Sequence, residues 1–563
     1  MNISIEHVFE SKEYFDGADI HFSPKTISEC EFMLGVENST SNELIVERVQ
    51  VAEFTVDENA PIYMEGYQAL SQTAGTMGNP VDIGRINEVR DYRLYGEDHT
   101  GTYGSNFFMT KVNGRWFLIG ATSSFRTGLV INLVGNKCRI FWELGSIIVP
   151  PLKDYYADHI CFISDDKRSE LMEHYAYLIN THHRHAPIMP KSGWCSWYSY
   201  YDKVTGEDIL ENLEVMKNKF EGLEYVQIDD GYQMHMGDWL IDSDKLGIKL
   251  QDLCEKIKAS GKKPAIWVAP FIASEKSEVF TNHPDWFIKG SFGNPLKAES
   301  ITYGGWRETP WYLLDMTIPE VRSRITKIFK AFHSMGIDYF KLDACYWGAI
   351  KGLKYHTPSV SHVVHYRLGV DAIRQGVGYD SYIMACNAPL WPSLGLVNAF
   401  RITDDVERSE ERIKQQVNEF RYRNWMANRL WGNDVDCLVG KALPNQREIE
   451  PKYYHMLFAM AVASGGPILI GDKLSDVSGG TFSVEAINKL AKGLQRRKPA
   501  YFTDENLTCA RSSASGIEVV FSLGNSVNLS ERDSKLALLA DRYVTKKDSL
   551  EPNDAEIFID FNY

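Results

Sequence analysis

Lys341 and Asp343 stand two positions apart in Tyr339-Phe340-Lys341-Leu342-Asp343, so on an extended segment they share one side. Arg401, Thr403 and Asp405 repeat that spacing, and Asp229 and Asp230 sit side by side before Gly231. A carboxylate on a buried strand needs a cation nearby or its pKa climbs. Asp343, flanked by Lys341, is therefore expected to stay ionised, as a carboxylate nucleophile must. Asp405 suits an acid that holds a proton, which requires burial or a like-charged neighbour, and Asp404 is the candidate neighbour. Two carboxylates on separate strands are the minimal kit for glycosidic cleavage, about 5–5.5 Å apart for a retaining enzyme and about 6.5–9.5 Å for an inverting one. Asp229 and Asp230 could clasp two sugar hydroxyls, and Trp267, Trp194 and Trp197 offer indoles for the C–H face of a sugar.

Each residue also has a plainer reading. Asp230 alone reads as the cap of the next helix, and Trp194 and Trp197 as core. Cys386 reads as a small buried hydrophobe, and His182 to His185 as a solvated loop. Lys341 resists such a reading, because an unpaired lysine inside a strand is costly. Its amine could instead form a Schiff base, but nothing in that chemistry calls for the Asp229-Asp230 pair. A metal hydrolase would want histidines that this constellation lacks. The plain readings would all have to hold at once on four segments, which favours a catalytic mouth.

The elements that must position these residues follow a clear alternation. From Gly193, short apolar runs (194–198, 225–229, 264–271, 339–345, 382–386, 399–406, 436–439, 468–470) are separated by amphipathic stretches (207–220, 249–260, 318–335, 362–375, 412–430, 450–463, 484–497). Eight runs over this length predict a (β/α)8 TIM barrel, whose strands deliver catalytic residues at their C-terminal ends. Before it, short strands such as 44–53, 107–112, 116–122, 129–133 and 138–144 predict an all-β sandwich, with Val112-Asn113-Gly114 as a hairpin turn. After it, 516–523, 535–540 and 555–561 return to strand alternation. The expected multidomain architecture is thus an N-terminal β-sandwich over 1–188, a catalytic barrel over 189–494 and a C-terminal antiparallel β-domain over 495–563.

Composition narrows the function. Lys and Arg number 60 against 75 Asp and Glu, and a net charge of -15 repels phosphate backbones, so no nucleic-acid partner is expected. Nine scattered cysteines, with no CxxC spacing, predict neither a disulfide framework nor a zinc site. The start, MNISIEHVFESKEYF, lacks a basic region followed by an apolar one, and the apolar run from Met456 to Ile470 is broken by Ser464-Gly465-Gly466-Pro467. A cytoplasmic protein with no membrane partner and no cofactor is expected; oligomeric state is not written in the sequence.

The segments Gly193-Trp194-Cys195-Ser196-Trp197-Tyr198, Gln227-Ile228-Asp229-Asp230-Gly231-Tyr232, Gly237-Asp238-Trp239 and Ile266-Trp267-Val268-Ala269-Pro270-Phe271 resemble signatures of the family 36 glycoside hydrolases (clan D). So do Tyr339 to Asp343, Cys386-Asn387-Ala388-Pro389 through Asp405, and Asn433-Asp434-Val435-Asp436-Cys437, in the family's order and spacing over about residues 60 to 475. The likeness is greatest to the short bacterial and archaeal-type α-galactosidases. It implies a metal-free, retaining double displacement on α-galactoside oligosaccharides of the melibiose and raffinose type. It further implies Asp343 as nucleophile, Asp405 as acid/base, and Asp229 and Asp230 as the clasp for galactose hydroxyls. Lys341, Trp267, Cys386, Arg401, Asn387 and Trp194 fall at sugar-site positions, and Tyr67 matches an aromatic lent by the sandwich. Ala69-Leu70 replaces a frequent Ser-Trp, Asn387 a usual glycine, and Ala344 a commonly larger residue. The same resemblance leaves room for an α-N-acetylgalactosaminidase or a galactosyl transferase of the raffinose-synthase type.

Overall fold

Apolar runs too short for helices, alternating with amphipathic stretches that carry their own caps, dictate the central part of a computed structural model of this chain. The structure describes residues 20–26, 28, 30–84, 100–186, 189–351, 353–477, 482–493, 498–512, 516–523, 527–528, 535–537, 542–543 and 549–560. Eight parallel strands follow one another around a sheet in chain order: β1 Ser192–Cys195, β2 Tyr225–Ile228, β3 Lys263–Val268, β4 Tyr339–Leu342, β5 Tyr382–Ala385, β6 Ala399–Arg401, β7 Gly432–Asp434 and β8 Ile468–Ile470. β8 pairs back onto β1, with Ser192 opposite Ile468. Single bridges, Asn433 to Gly465 and Leu438 to Ile470, nearly close the seam between β7 and β8. The barrel is complete but for that seam.

Among the described residues, seven helices surround it: α1 Gly206–Lys219, α2 Leu250–Ala259, α3 Pro319–Ser334, α4 His362–Val377, α5 Glu410–Arg423, α6 Pro451–Ser464 and α7 Val484–Gly493. Local sequence starts several of them. Thr205 and Asp208 form a reciprocal capping box on α1, Ser361 and Ser409 cap α4 and α5, and Pro319 and Pro451 occupy first turns where no N–H is needed. The crossover from β5 to β6 has only a 3₁₀ turn, Trp391–Ser393, in place of a helix.

The N-terminal unit fills the place of that missing helix. Its eleven antiparallel strands run from Ile20–Thr26 to Lys153–Asp165, in two arms joined where Gly128–Val134 pairs with both Thr102–Val112 and Lys137–Val149. Lys137–Val149 alternates exposed and buried residues along most of its length, the pattern of a strand with one face on a core. Asn113 and Gly114 take φ of 51° and 82°, the left-handed pair that a tight hairpin requires. From this unit, helix Arg168–His182 stacks Tyr175 on Trp391, and the Trp391 indole donates to the Ala121 carbonyl at 2.8 Å. A six-stranded antiparallel sheet from Tyr501–Phe502 onward sets Phe502 and Phe521 against Phe420 of α5.

The seventh strand departs from the expected run. It forms at Gly432–Asp434, whereas 436–439 lies beyond it. The polar Asn433 and Asp434 are buried on this strand, so apolarity pointed to the segment just past the true strand. Among the described residues, no helix is long and apolar enough to cross a membrane, and no group of three or more His, Cys, Asp or Glu could hold a metal ion. All nine cysteines are free thiols.

Candidate active site

The strands end a residue or two before the residues that carry chemistry, so the acids stand at the lip of the barrel. Asp229 follows β2, Asp343 follows β4, Cys386 follows β5, and Asp405 lies four past the end of β6. Together they line a cavity of about 320 Å³ at the C-terminal mouth, with Asp230, Trp267, Lys341, Asn387, Arg401 and Thr403.

Lys341 does not serve Asp343 as its direct partner. Its ammonium contacts Asp229 Oδ2 at 3.0 Å, and both groups are buried. Burial works against the lysine charge, but the Asp229 carboxylate outweighs it and holds Lys341 well above the ordinary lysine range. Asp229 Oδ2 also accepts from Gln227 Nε2 at 2.7 Å, while Oδ1 accepts the Asp230 N–H at 2.9 Å. Asp230 is clasped by Arg307, by Gln233 Nε2 at 2.7 Å and by the Trp306 indole at 3.0 Å. Those contacts replace the helix-cap reading of Asp230.

Asp343 is held from two sides. Trp267 donates its indole N–H to Oδ2 at 3.0 Å, and Ala344 donates its backbone N–H to Oδ1 at 2.6 Å. Ala344 achieves this in the left-handed region, at φ 50°. Such a conformation costs a non-glycine residue about 1–2 kcal/mol, and here it aims an amide at the carboxylate. Burial raises the Asp343 pKa above the usual carboxylate value; the Lys341 charge and these two hydrogen bonds oppose it, and the Asp405 charge adds to it.

Asp405 differs from what its neighbours predicted. Its side chain is 61% exposed and accepts from Arg401 Nη1 at 3.1 Å. Asp404, the expected like-charged neighbour, is committed elsewhere: it pairs with Arg412, accepts from Gln415 at 3.2 Å and takes the Asp405 N–H at 2.7 Å. Asp405 therefore has neither the burial nor the Asp404 partner that its sequence neighbours suggested. Arg401 is likewise spoken for by buried acids, Asp434 at 2.7 Å and Asp436 at 2.8 Å. Burial disfavours its charge, but those two carboxylates hold it well above the usual arginine range.

Two sequence-predicted residues stand apart from the cavity. Trp194 is fully buried and donates its indole N–H to the Asp472 carbonyl at 2.9 Å, so it is core. Tyr67 is 2% exposed and donates its hydroxyl to the Ala349 carbonyl at 2.9 Å, fastening the N-terminal unit to the barrel. The wall from that unit is Ala69 and Leu70 instead. Sequence reasoning missed Tyr303, Trp306 and Arg307, on the long excursion between β3 and α3. Their signal was an aromatic and an arginine set among glycines, Gly304-Gly305-Trp306-Arg307, too local to place. Tyr198, whose hydroxyl bonds Asp436, was missed as well. Cys386 and Asn387 do line the cavity, the thiol raised well above its ordinary pKa by burial. Asn387 takes φ 44°, a conformation in which glycine is easiest and asparagine is tolerated.

Residues 162–374 match the melibiase family. The bifunctional α-galactosidase/sucrose kinase AgaSK of Mediterraneibacter gnavus is 27% identical over 190 residues, 31% of this chain and 19% of AgaSK. The chain thus spans about a fifth of that relative's length. An α-galactosidase from Thermus thermophilus, solved with p-nitrophenyl α-D-galactopyranoside, superposes with a TM-score of 0.64 at 20% identity, covering 88% of this chain and 98% of that one. The α-galactosidase AgaA of Geobacillus stearothermophilus, solved with 1-deoxygalactonojirimycin, gives 0.65 at 14% identity over 94% of this chain and 78% of the other. These likenesses share the fold, barrel and flanking antiparallel sheets together.

Proposed function

We propose that this chain, of which residues 162–374 match the melibiase family, is a family 36 glycoside hydrolase that removes terminal α-linked galactose from oligosaccharides with retention of configuration. The observation that carries the reading is one cavity holding two acids of opposite character. Asp343 is fixed on the floor by two N–H donors, and Asp405 stands open at the rim on Arg401. A floor carboxylate with fixed orientation suits attack at an anomeric carbon, and a rim carboxylate reachable by water suits proton exchange with aglycone and solvent.

In this reading Asp229 and Asp230 receive the sugar. Each keeps its orientation through its partners, Lys341 and Gln227 for one, Arg307, Trp306 and Gln233 for the other. Asp405 protonates the glycosidic oxygen while Asp343 attacks the anomeric carbon, forming a covalent glycosyl-enzyme and releasing the aglycone. Asp405 then takes a proton from water, which attacks the same carbon and frees Asp343 and the α-anomer. Asp405 is solvent-exposed in the free enzyme, and a sugar covering the mouth shields it from bulk water. An NMR time course on an aryl α-galactoside, wild type beside Asp343→Ala, tests this. The α-anomer of galactose should appear first, and only from wild type. First release of the β-anomer, or a variant as fast as wild type, would overturn it.

A further inference from the structure

The like charge of Asp404 falls on Glu419 rather than on Asp405. Glu419 is a fully buried residue of α5, and the backbone N–H of Asp404 donates to its Oε2 at 2.8 Å. Gln415, one turn earlier on α5, bridges the two acids, donating to Glu419 Oε1 at 2.8 Å and Asp404 Oδ2 at 3.2 Å. Gln416 holds the Asp404 carbonyl at 2.7 Å, and Asp404 Oδ1 in turn accepts the N–H of Asp405 at 2.7 Å. One face of α5 thus grips the Asp404-Asp405 peptide: Glu419 holds Asp404 by its backbone N–H, and the Asp404 side chain holds the backbone N–H of Asp405.

We propose that Glu419 is a positioning residue for Asp405, acting through Asp404, and that the grip loosens when Glu419 loses its proton. This rests on the assignment of Asp405 as acid/base. Charged groups face Glu419 from each side. Asp404 lies on the loop after β6, Arg412 and Arg423 lie on α5, and Glu65 of the N-terminal unit is paired with Arg423. Arg412 is taken by Asp404 and Arg423 by Glu65, so among the described residues Glu419 has no cation of its own. Burial first, and the Asp404 charge second, lift the Glu419 carboxyl to about 7. Below about 7 Glu419 is neutral and the two acids coexist; as pH rises through that value a second buried negative charge forms beside Asp404 and repels it.

The test is the pH profile of kcat/KM on an aryl α-galactoside for wild type, Glu419→Gln and Glu419→Ala. Glutamine keeps an acceptor for the Asp404 N–H and never ionises, so the alkaline limb should move upward by about one pH unit. Alanine leaves the Asp404 N–H without its acceptor and should lower kcat roughly tenfold at every pH, with KM changed less. An alkaline limb identical in wild type and Glu419→Gln overturns the proposal, as does an alanine variant with wild-type kcat. A wild type inert toward the galactoside is a different failure: it removes the functional reading, and this inference with it.

Discussion

Lys341 shows how much a single contact can revise a reading. From spacing alone it is the counter-ion of Asp343; in the structure its ammonium is 3.0 Å from Asp229, and Asp343 relies on Trp267 and the Ala344 amide. Lys341 acts on Asp343, the proposed nucleophile, only through its field, one of the influences opposing the burial that raises Asp343. Lys341→Met should therefore damage the proposed sugar clasp at Asp229 more than the chemical step. Asp229 would be left buried without its cation, a loss of about 3–5 kcal/mol when one partner of such a pair is removed. Thermal unfolding should register that loss, and steady-state kinetics should show KM rising by more than kcat falls. An unchanged KM would show that Asp229 does not need its cation in order to receive the sugar.

At the scale of elements, α5 carries the most. Its residues Arg412, Gln415, Gln416, Glu419 and Arg423 all face the loop after β6 or the N-terminal unit. Arg423 is fully buried: it pairs with Glu65, donates to the Ile402 carbonyl at 2.7 Å and reaches the carbonyls of Ala69 and Ser71. One guanidinium thereby locks the Ala69-Leu70 wall to the end of β6. Arg423→Met, similar in length but uncharged, should cost about 3–5 kcal/mol by stranding Glu65, and should also lower activity because the wall loses its anchor. Denaturant unfolding alongside kcat/KM would read both, and a variant as stable as wild type would contradict the account. The sequence pointed to a helix here, over 412–430 rather than the observed Glu410–Arg423, but not to its work. The partners of those five residues are 8 to 358 residues away in sequence, beyond the reach of any local pattern. By contrast, Lys341 and Arg401 were legible because a charge inside a strand is too costly to keep unless it is paired or does chemistry. Tyr67 and Trp194 show the limit of a resemblance: an aromatic at a sugar-site position looks the same whether it meets ligand or core, and for Trp194 the plain core reading is the one the structure supports. The 436–439 run misled because polar residues occupy the true strand.

At the scale of the molecule, the helix missing between β5 and β6 decides how independent the parts can be. A barrel without the N-terminal unit would expose Trp391 and Trp425, both buried here against Phe107 and Tyr175 of that unit. The polar side of that junction is equally shared: Leu390 donates to the Tyr67 carbonyl at 2.8 Å, and Asn180 donates to the Arg429 carbonyl at 2.8 Å. An interface this apolar, with a charge pair buried inside it, behaves more like a core than like a hinge. A chain beginning at residue 189 should therefore aggregate or unfold near room temperature rather than yield a free barrel. The full chain should lose indole fluorescence and far-ultraviolet dichroism in one coincident thermal transition. Trp391→Ala should lower that transition without splitting it, at a cost of about 3–5 kcal/mol for the cavity left behind. Two well-separated transitions, or a soluble and active barrel fragment, would mean that the N-terminal unit merely rests on the barrel; a single transition makes it the structural replacement for the helix missing between β5 and β6.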